Sequence, residues 1–354
     1  MSAGGADFIA LLRERGIVDS GEQGAAPGLR PMPWWLMLLQ GLAAWFASLM
    51  IISALLLPMG GLGFTAPVRG AEGGLLCMTA IWLFRRERLF SEQMALAFSL
   101  AGQGLLIWAV ADHWQLTFTD YRQLAAIAAL VTGAMLLIRA SRLHRIVCAL
   151  ILVFELGVMI GAGVGAEIHG VALTAVVMCA GVTRERWAAH SAGRWLGAVT
   201  LGAGLSALAL PAILRLARSQ SLSAVLDSHS SLGQDMSWLA MGATLLLLAA
   251  VVQLLRAAPL RLRLSGAAIA LLWGAVFHAA PGLIVAMAVF IAAFHASQRT
   301  LAAFALVAGV LHVGEFYYLL DISLLHKSAL LALGGMALLA LRGGLRWAGL
   351  GGAP

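Results

Sequence analysis

The chain has 354 residues, 61% of them hydrophobic and only 11% charged, and its mean hydropathy is strongly positive. A soluble domain, with a charged share near 25%, is excluded. The net charge of +7 is almost all arginine and falls between apolar runs, which points to membrane topology rather than to a nucleic-acid-binding face.

Residues 1–33 precede the first apolar run. Asp7 to Arg15 reads as a short amphipathic helix, with Phe8, Ile9, Leu11 and Leu12 on its apolar side, Asp7 as its cap and Gly16 as its stop. Gly24 to Pro33 is a linker rich in Gly, Ala and Pro. No short apolar core with a cleavage site lies in this arm, so no signal peptide is expected.

Twelve apolar segments follow, at 34–57, 71–84, 92–111, 121–138, 145–163, 167–182, 194–214, 236–255, 264–279, 281–297, 300–320 and 322–341. The segments 71–84 and 264–279 are short for a spanning helix of ~20 residues. With the N-terminus inside and strict alternation, the inside segments hold eighteen arginines. The outside holds Arg69, Arg122, Arg215, Arg218 and Lys327, the only lysine. That asymmetry is what the positive-inside rule demands. The expected fold is an all-α, polytopic transmembrane helix bundle of about 12 spans, N-in/C-in. Its parts are a cytoplasmic arm 1–33, a membrane domain 34–342 and a cytoplasmic tail 343–354. Trp34, Trp35, Trp187, Trp195 and Trp347 fall near the inner interface, and Trp114, Tyr121, Trp238, Tyr317 and Tyr318 near the outer one, the depth amphipathic rings favour. The long outer loop, Arg215 to Asp235, is rich in Ser and reads as a solvated surface or a docking site for a partner. Nothing fixes its Ser, His and Asp as a catalytic triad.

The informative residues are the polar ones inside the apolar segments. Glu155 lies ~15 Å along its helix, near the midplane, where a carboxylate costs at least ~2.5 kcal/mol unless protonated or paired. Gln103, in a neighbouring segment, is its candidate partner. Gly157, Gly161 and Gly165 beside it form a small-residue stripe for close helix approach. In the last two segments, His312 and Glu315 share a helix face. Glu315 stands six residues before Asp321 and Lys327 six after it. A turn centred on Asp321 puts both ~8–9 Å below the outer end, so an ion pair between antiparallel neighbours is expected to set the register of that hairpin. His144, His278, His295 and His326 lie near helix ends, where histidine is usually interfacial.

Cys77, Cys148 and Cys179 sit singly in apolar segments and read as buried thiols. No histidines have the spacing of H-E-x-x-H, and the glycine run 161–165 follows no strand, so no metal, nucleotide or other cofactor is expected. No internal repeat is evident.

Five stretches carry a resemblance: LLRERGIV, PWWLMLLQGLAAWFASLM, RRERLFSEQMALAFSLAGQGLLIW, the turn HAAPGL, and GEFYYLLDISLLHKSALLALGGMALLALR. The most specific parts are Ser91 to Gln103 and Phe316 to Ser328. Together they resemble the bacterial domain of unknown function 4401 family, from about Pro33 to Arg342. The resemblance implies a multi-pass bacterial inner-membrane protein, often encoded beside GDYXXLXY proteins, and it implies no activity, substrate or catalytic residue. Two functions fit. The first is a non-enzymatic subunit or scaffold of a cell-envelope complex, partnered by the lipid bilayer and a GDYXXLXY-type protein, with no nucleic acid. The second is a proton-coupled secondary transporter using Glu155, His312, Glu315 and Lys327. A membrane enzyme ranks last, for lack of an acid/base or metal constellation at one depth.

Overall fold

The computed structural model describes residues 33–59, 65–86, 88–138, 140–161, 163–190, 192–218, 237–319 and 323–347. The N-terminal arm, the serine-rich part of the long loop with its Asp227, His229 and Asp235, and the turn at Asp321 lie outside the described residues. These residues form helices and no strand: α1 (Trp34–Met59), α2 (Ala66–Phe84), α3 (Leu89–His113), α4 (Tyr121–Leu136), α5 (Arg142–Ile160), α6 (Val164–Val182), the one-turn α7 (Arg184–Trp187), α8 (Gly193–Arg218), α9 (Ser237–Leu254), α10 (Leu260–Val276), α11 (Pro281–His295), α12 (Arg299–Leu319) and α13 (Leu324–Trp347).

Helix boundaries have local causes. Pro67 and Pro281 stand in the first turns of α2 and α11, where a missing amide proton leaves no bond unmade. The Ser141 hydroxyl caps α5 by accepting from the His144 amide at 3.3 Å. Gly161 ends α5 with φ +89° and Gly163 follows at +73°, a region only glycine enters freely. The expected stripe of Gly157, Gly161 and Gly165 is therefore cut: the helix stops before its second member. Close helix approach occurs instead between α2 and α3. A Cβ on Gly73 would stand 2.9 Å from the Gly102 carbonyl oxygen, and one on Gly102 would stand 2.8 Å from that of Gly73. Only the absence of both side chains lets these backbones touch.

Five of the described helical stretches are long and apolar enough to cross a membrane: Phe90–His113, Arg142–Ile160, Val164–Val182, Trp195–Leu216 and Arg299–Tyr318. The surface around them is inverted relative to a soluble protein. Leu130, Phe154, Val310 and Tyr318 point outward, while Ser99, Thr132, His144, Thr174 and Glu167 are buried. An apolar exterior over a core holding polar groups suits lipid as solvent, and with the five long helices it marks a membrane protein.

Of the two short segments, 71–84 lengthens to a helix beginning at Ala66, and 264–279 is displaced to Leu260–Val276, 17 residues long. The shortest long-range packing element is α11, with 15 residues. It spans ~22 Å at 1.5 Å per residue, less than a hydrocarbon core of ~30 Å. It lies at the centre, packed by α6, α8, α9 and α12, with Ile284, Val285, Ala288 and Val289 essentially sealed. A helix wrapped by other helices need not match the lipid thickness itself.

The C-terminal helices depart from the expected hairpin. α13 packs on α10 and meets α12 only marginally. Gly334 of α13 receives the Phe277 ring, against which a Cβ would stand at 2.9 Å. Phe277 in turn sits 4.5 Å from Trp273 and 6.0 Å from Phe316, centroid to centroid. This aromatic stack seats the last helix on α10.

Candidate functional site

Two buried polar centres hold most of the sequence-predicted residues. The first joins α8, α12 and the turn before α11. Arg215 Nε lies 2.8 Å from Glu315 Oε1, and its terminal nitrogen donates to the Ala279 carbonyl at 3.1 Å. Glu315 Oε2 lies 2.8 Å from His312 Nδ1, whose Nε2 lies 3.0 Å from the Leu208 carbonyl oxygen. Pro211 inside α8 leaves the carbonyl of Ala207, the neighbour of Leu208, without its helical donor. The imidazole rests on Gly282, whose missing side chain makes its room: a Cβ there would stand 2.5 Å from Nδ1. The glycine of the HAAPGL turn thus has a tertiary role beyond the reversal.

The donor count at His312 is informative. The Leu208 carbonyl only accepts, so Nε2 carries a hydrogen. The Nδ1–Oε2 contact then needs one more, either as imidazolium donating to carboxylate or as carboxylic acid donating to imidazole. The His312–Glu315 pair holds a proton in either form.

The expected partner for Glu315 was Lys327. Among the described residues the two Glu315 oxygens contact Arg215 and His312. The Lys327 side chain lies outside the described residues. Arg215 stood at the edge of a loop in the sequence reading and is a helical residue reaching inward.

The second centre lies between α3, α4 and α5. The Gln103 amide donates to Ser99 Oγ at 2.9 Å, and Ser99 Oγ lies 2.9 Å from His144 Nε2. A serine hydroxyl accepting from the amide and donating to the imidazole satisfies this chain. Cys148 Sγ is 3.4 Å from the same nitrogen. His144, expected at the interface, is fully buried and meets the edge of Phe84 with centroids 4.7 Å apart. Gln103, offered as the partner of Glu155, is bonded to Ser99 instead. Glu155 Oε1 accepts from the Thr132 hydroxyl at 3.1 Å, while its Oε2 is buried with no hydrogen-bond partner among the described residues. Of the cysteines, Cys77 and Cys148 are buried as expected and Cys179 is exposed.

Other buried charges were not singled out in the sequence. Glu167 accepts at one oxygen from the Trp238 and Leu239 amides, at 3.0 and 3.2 Å, and so caps α9 from a distant helix. Arg69, assigned to a loop, lies inside α2, is 5% exposed, pairs with Asp112 of α3, and stands 4.6 Å over the Trp108 ring. Glu72 is buried one turn on. The signal for Glu72 was present, since it lies within the apolar segment 71–84. Arg69 and Glu167 sat at segment edges, where charge is unremarkable.

These centres fasten helices together. Among the described residues no three His, Cys, Asp or Glu side chains cluster as a metal site. Neither Glu155 nor Glu315 lines the cavity of about 1410 Å³ at the arginine-rich end of the bundle.

No curated protein and no solved structure matches the chain. The family described as Domain of unknown function (DUF4401) matches residues 33–346. That range takes in every helix carrying the two polar centres, and the chain belongs to the DUF4401 family.

Proposed function

We propose that this protein is a non-enzymatic subunit or scaffold of a bacterial cell-envelope complex, resident in the inner membrane, with about twelve spans and both termini cytoplasmic. One observation carries this reading. Most of the intramembrane charges placed here are spent on one another and on backbone groups, as in Arg215–Glu315–His312, Arg69–Asp112 and Glu167 on α9. Charges that pair within a bundle fix its packing and leave little to offer a transported solute. A GDYXXLXY-type membrane protein is the proposed partner. The arginine asymmetry supports the topology. A reporter fused after Arg86 reads as cytoplasmic in this arrangement, and an extracytoplasmic signal there overturns it.

The alternative is a proton-coupled secondary transporter. The proton held between His312 and Glu315 favours it, as does the Glu155 oxygen without a donor. The two readings separate in one preparation. Mild-detergent purification of the tagged protein is expected to retain the GDYXXLXY-type protein stoichiometrically, and proteoliposomes of the purified chain are expected to show no proton flux. A solitary protein whose flux disappears in Glu155→Gln or Glu315→Gln reverses the assignment.

A further inference from the structure

At the end where α2, α6 and α11 finish and α3, α5, α8 and α12 begin, the structure forms a half-open cavity of about 1410 Å³. Five arginines line it: Arg85, Arg142, Arg145, Arg184 and Arg299. One carboxylate, Glu92, faces them. Among the described residues no carboxylate is ion-paired to Arg85, Arg142, Arg184 or Arg299. The positive-inside rule accounts for arginines on one side of a membrane. It does not account for arginines from four separate junctions facing one space, because like charges brought together repel and cost energy without a counter-charge. Among the described residues Glu92 is the one carboxylate on this wall, so the space carries an excess of positive charge that attracts an anion.

Three further features define what fits. The N-terminal turns of α5, α8 and α12 all contribute to the wall, through Ser141 and Arg142, Gly193, and Arg299 to Leu301. Their amides and dipoles add positive potential. Guanidinium groups match the oxygens of a phosphate bidentately, where ammonium groups act as point charges, and this cavity contains no lysine. Trp187 and Trp195 complete the wall with their indole hydrogens already committed, to the Ala180 carbonyl at 3.0 Å and the Leu136 carbonyl at 3.2 Å. The rings are therefore held as apolar surfaces at the membrane edge, the depth of headgroups. The volume exceeds the ~300–1,000 Å³ of ordinary small-molecule sites.

We propose that this cavity binds a phosphate-bearing anion. The phosphate is presented either by an anionic phospholipid headgroup or by a free phosphate compound, and basic pockets between membrane helices take the former. The site is independent of the scaffold reading and stands whether or not the bundle carries protons.

The test uses the full-length protein in mild detergent. In one arm, retention of dioleoyl phosphatidylglycerol and of zwitterionic dioleoyl phosphatidylcholine is measured by native mass spectrometry. In the other, binding of inorganic pyrophosphate is measured by calorimetry. Arg142→Gln with Arg299→Gln removes two exposed arginines from the cavity. Arg256→Gln with Arg261→Gln removes two exposed arginines at the α9–α10 junction, outside it. The cavity pair is expected to weaken binding by about tenfold or more, the scale of losing charge-assisted hydrogen bonds, and the control pair by less than about twofold. A loss confined to phosphatidylglycerol assigns the site to lipid, and a loss confined to pyrophosphate assigns it to a soluble anion. The proposal is overturned if the wild type neither prefers phosphatidylglycerol over phosphatidylcholine nor binds pyrophosphate, or if both pairs of variants weaken binding equally.

Discussion

Helices α8 and α12 run between two charged regions that handle charge in opposite ways. Toward their C-terminal ends, Arg215 and Glu315 meet, with His312 between Glu315 and the Leu208 carbonyl. At their N-terminal ends, Arg299 and the backbone around Gly193 face the arginine-lined cavity. From Gly193 to Arg215 is ~33 Å along the helix at 1.5 Å per residue, about the thickness of a hydrocarbon core. In the first region every charge is answered within the chain. In the second, one sign is in excess. Internal pairing makes a helix junction that the protein completes alone, whereas an excess of one sign makes a junction that attracts the opposite charge.

The largest expected effect lies in the paired region. Glu315→Ala leaves Arg215 and His312 facing each other without their carboxylate; breaking a fully buried ion pair costs about 3–5 kcal/mol, and this half-buried one is expected to cost somewhat less. Thermal melting in detergent is expected to fall accordingly, or the protein to stop accumulating in membranes. Arg215→Ala with Glu315→Ala is expected to lose less than the two single changes together, the signature of direct coupling in a double-mutant cycle. Strictly additive losses would mean that the pair does not hold α8 to α12.

The smallest stability effect is expected at the other end. Arg142→Gln with Arg299→Gln removes exposed side chains with no ion pair among the described residues, so its stability in lipid-free detergent, read by thermal melting, is expected to stay within about 0.5 kcal/mol of the wild type. A small gain is consistent with relieved repulsion. A large loss would show that these arginines are structural and would erase the contrast between the two regions.

Much of this molecule was legible residue by residue. The helices at Arg142–Ile160, Val164–Val182 and Arg299–Leu319 fall close to the apolar segments 145–163, 167–182 and 300–320, because hydropathy and helical length are local properties. Glu155 and Glu315 stood out for the same reason, since a carboxylate within an apolar run is anomalous whatever surrounds it. Which group answers each one was not local. Arg215 reaches Glu315 from 100 residues away, and Thr132 reaches Glu155 from the preceding helix. The seat of the last helix was not local either, since α13 turns to α10 around the Phe277 ring.

By itself the sequence determined the solvent, the helical class and the family, since each depends on composition or on short stretches. The tertiary structure alone decided which helices touch. It put Gly73 against Gly102, cleared Gly282 for His312, buried His144 behind Phe84, and turned arginines from separate junctions toward one space. The physical reason is that lipid provides little hydrophobic preference among apolar helix faces, so partners are selected by close packing and polar pairing, and those depend on groups far apart in the chain.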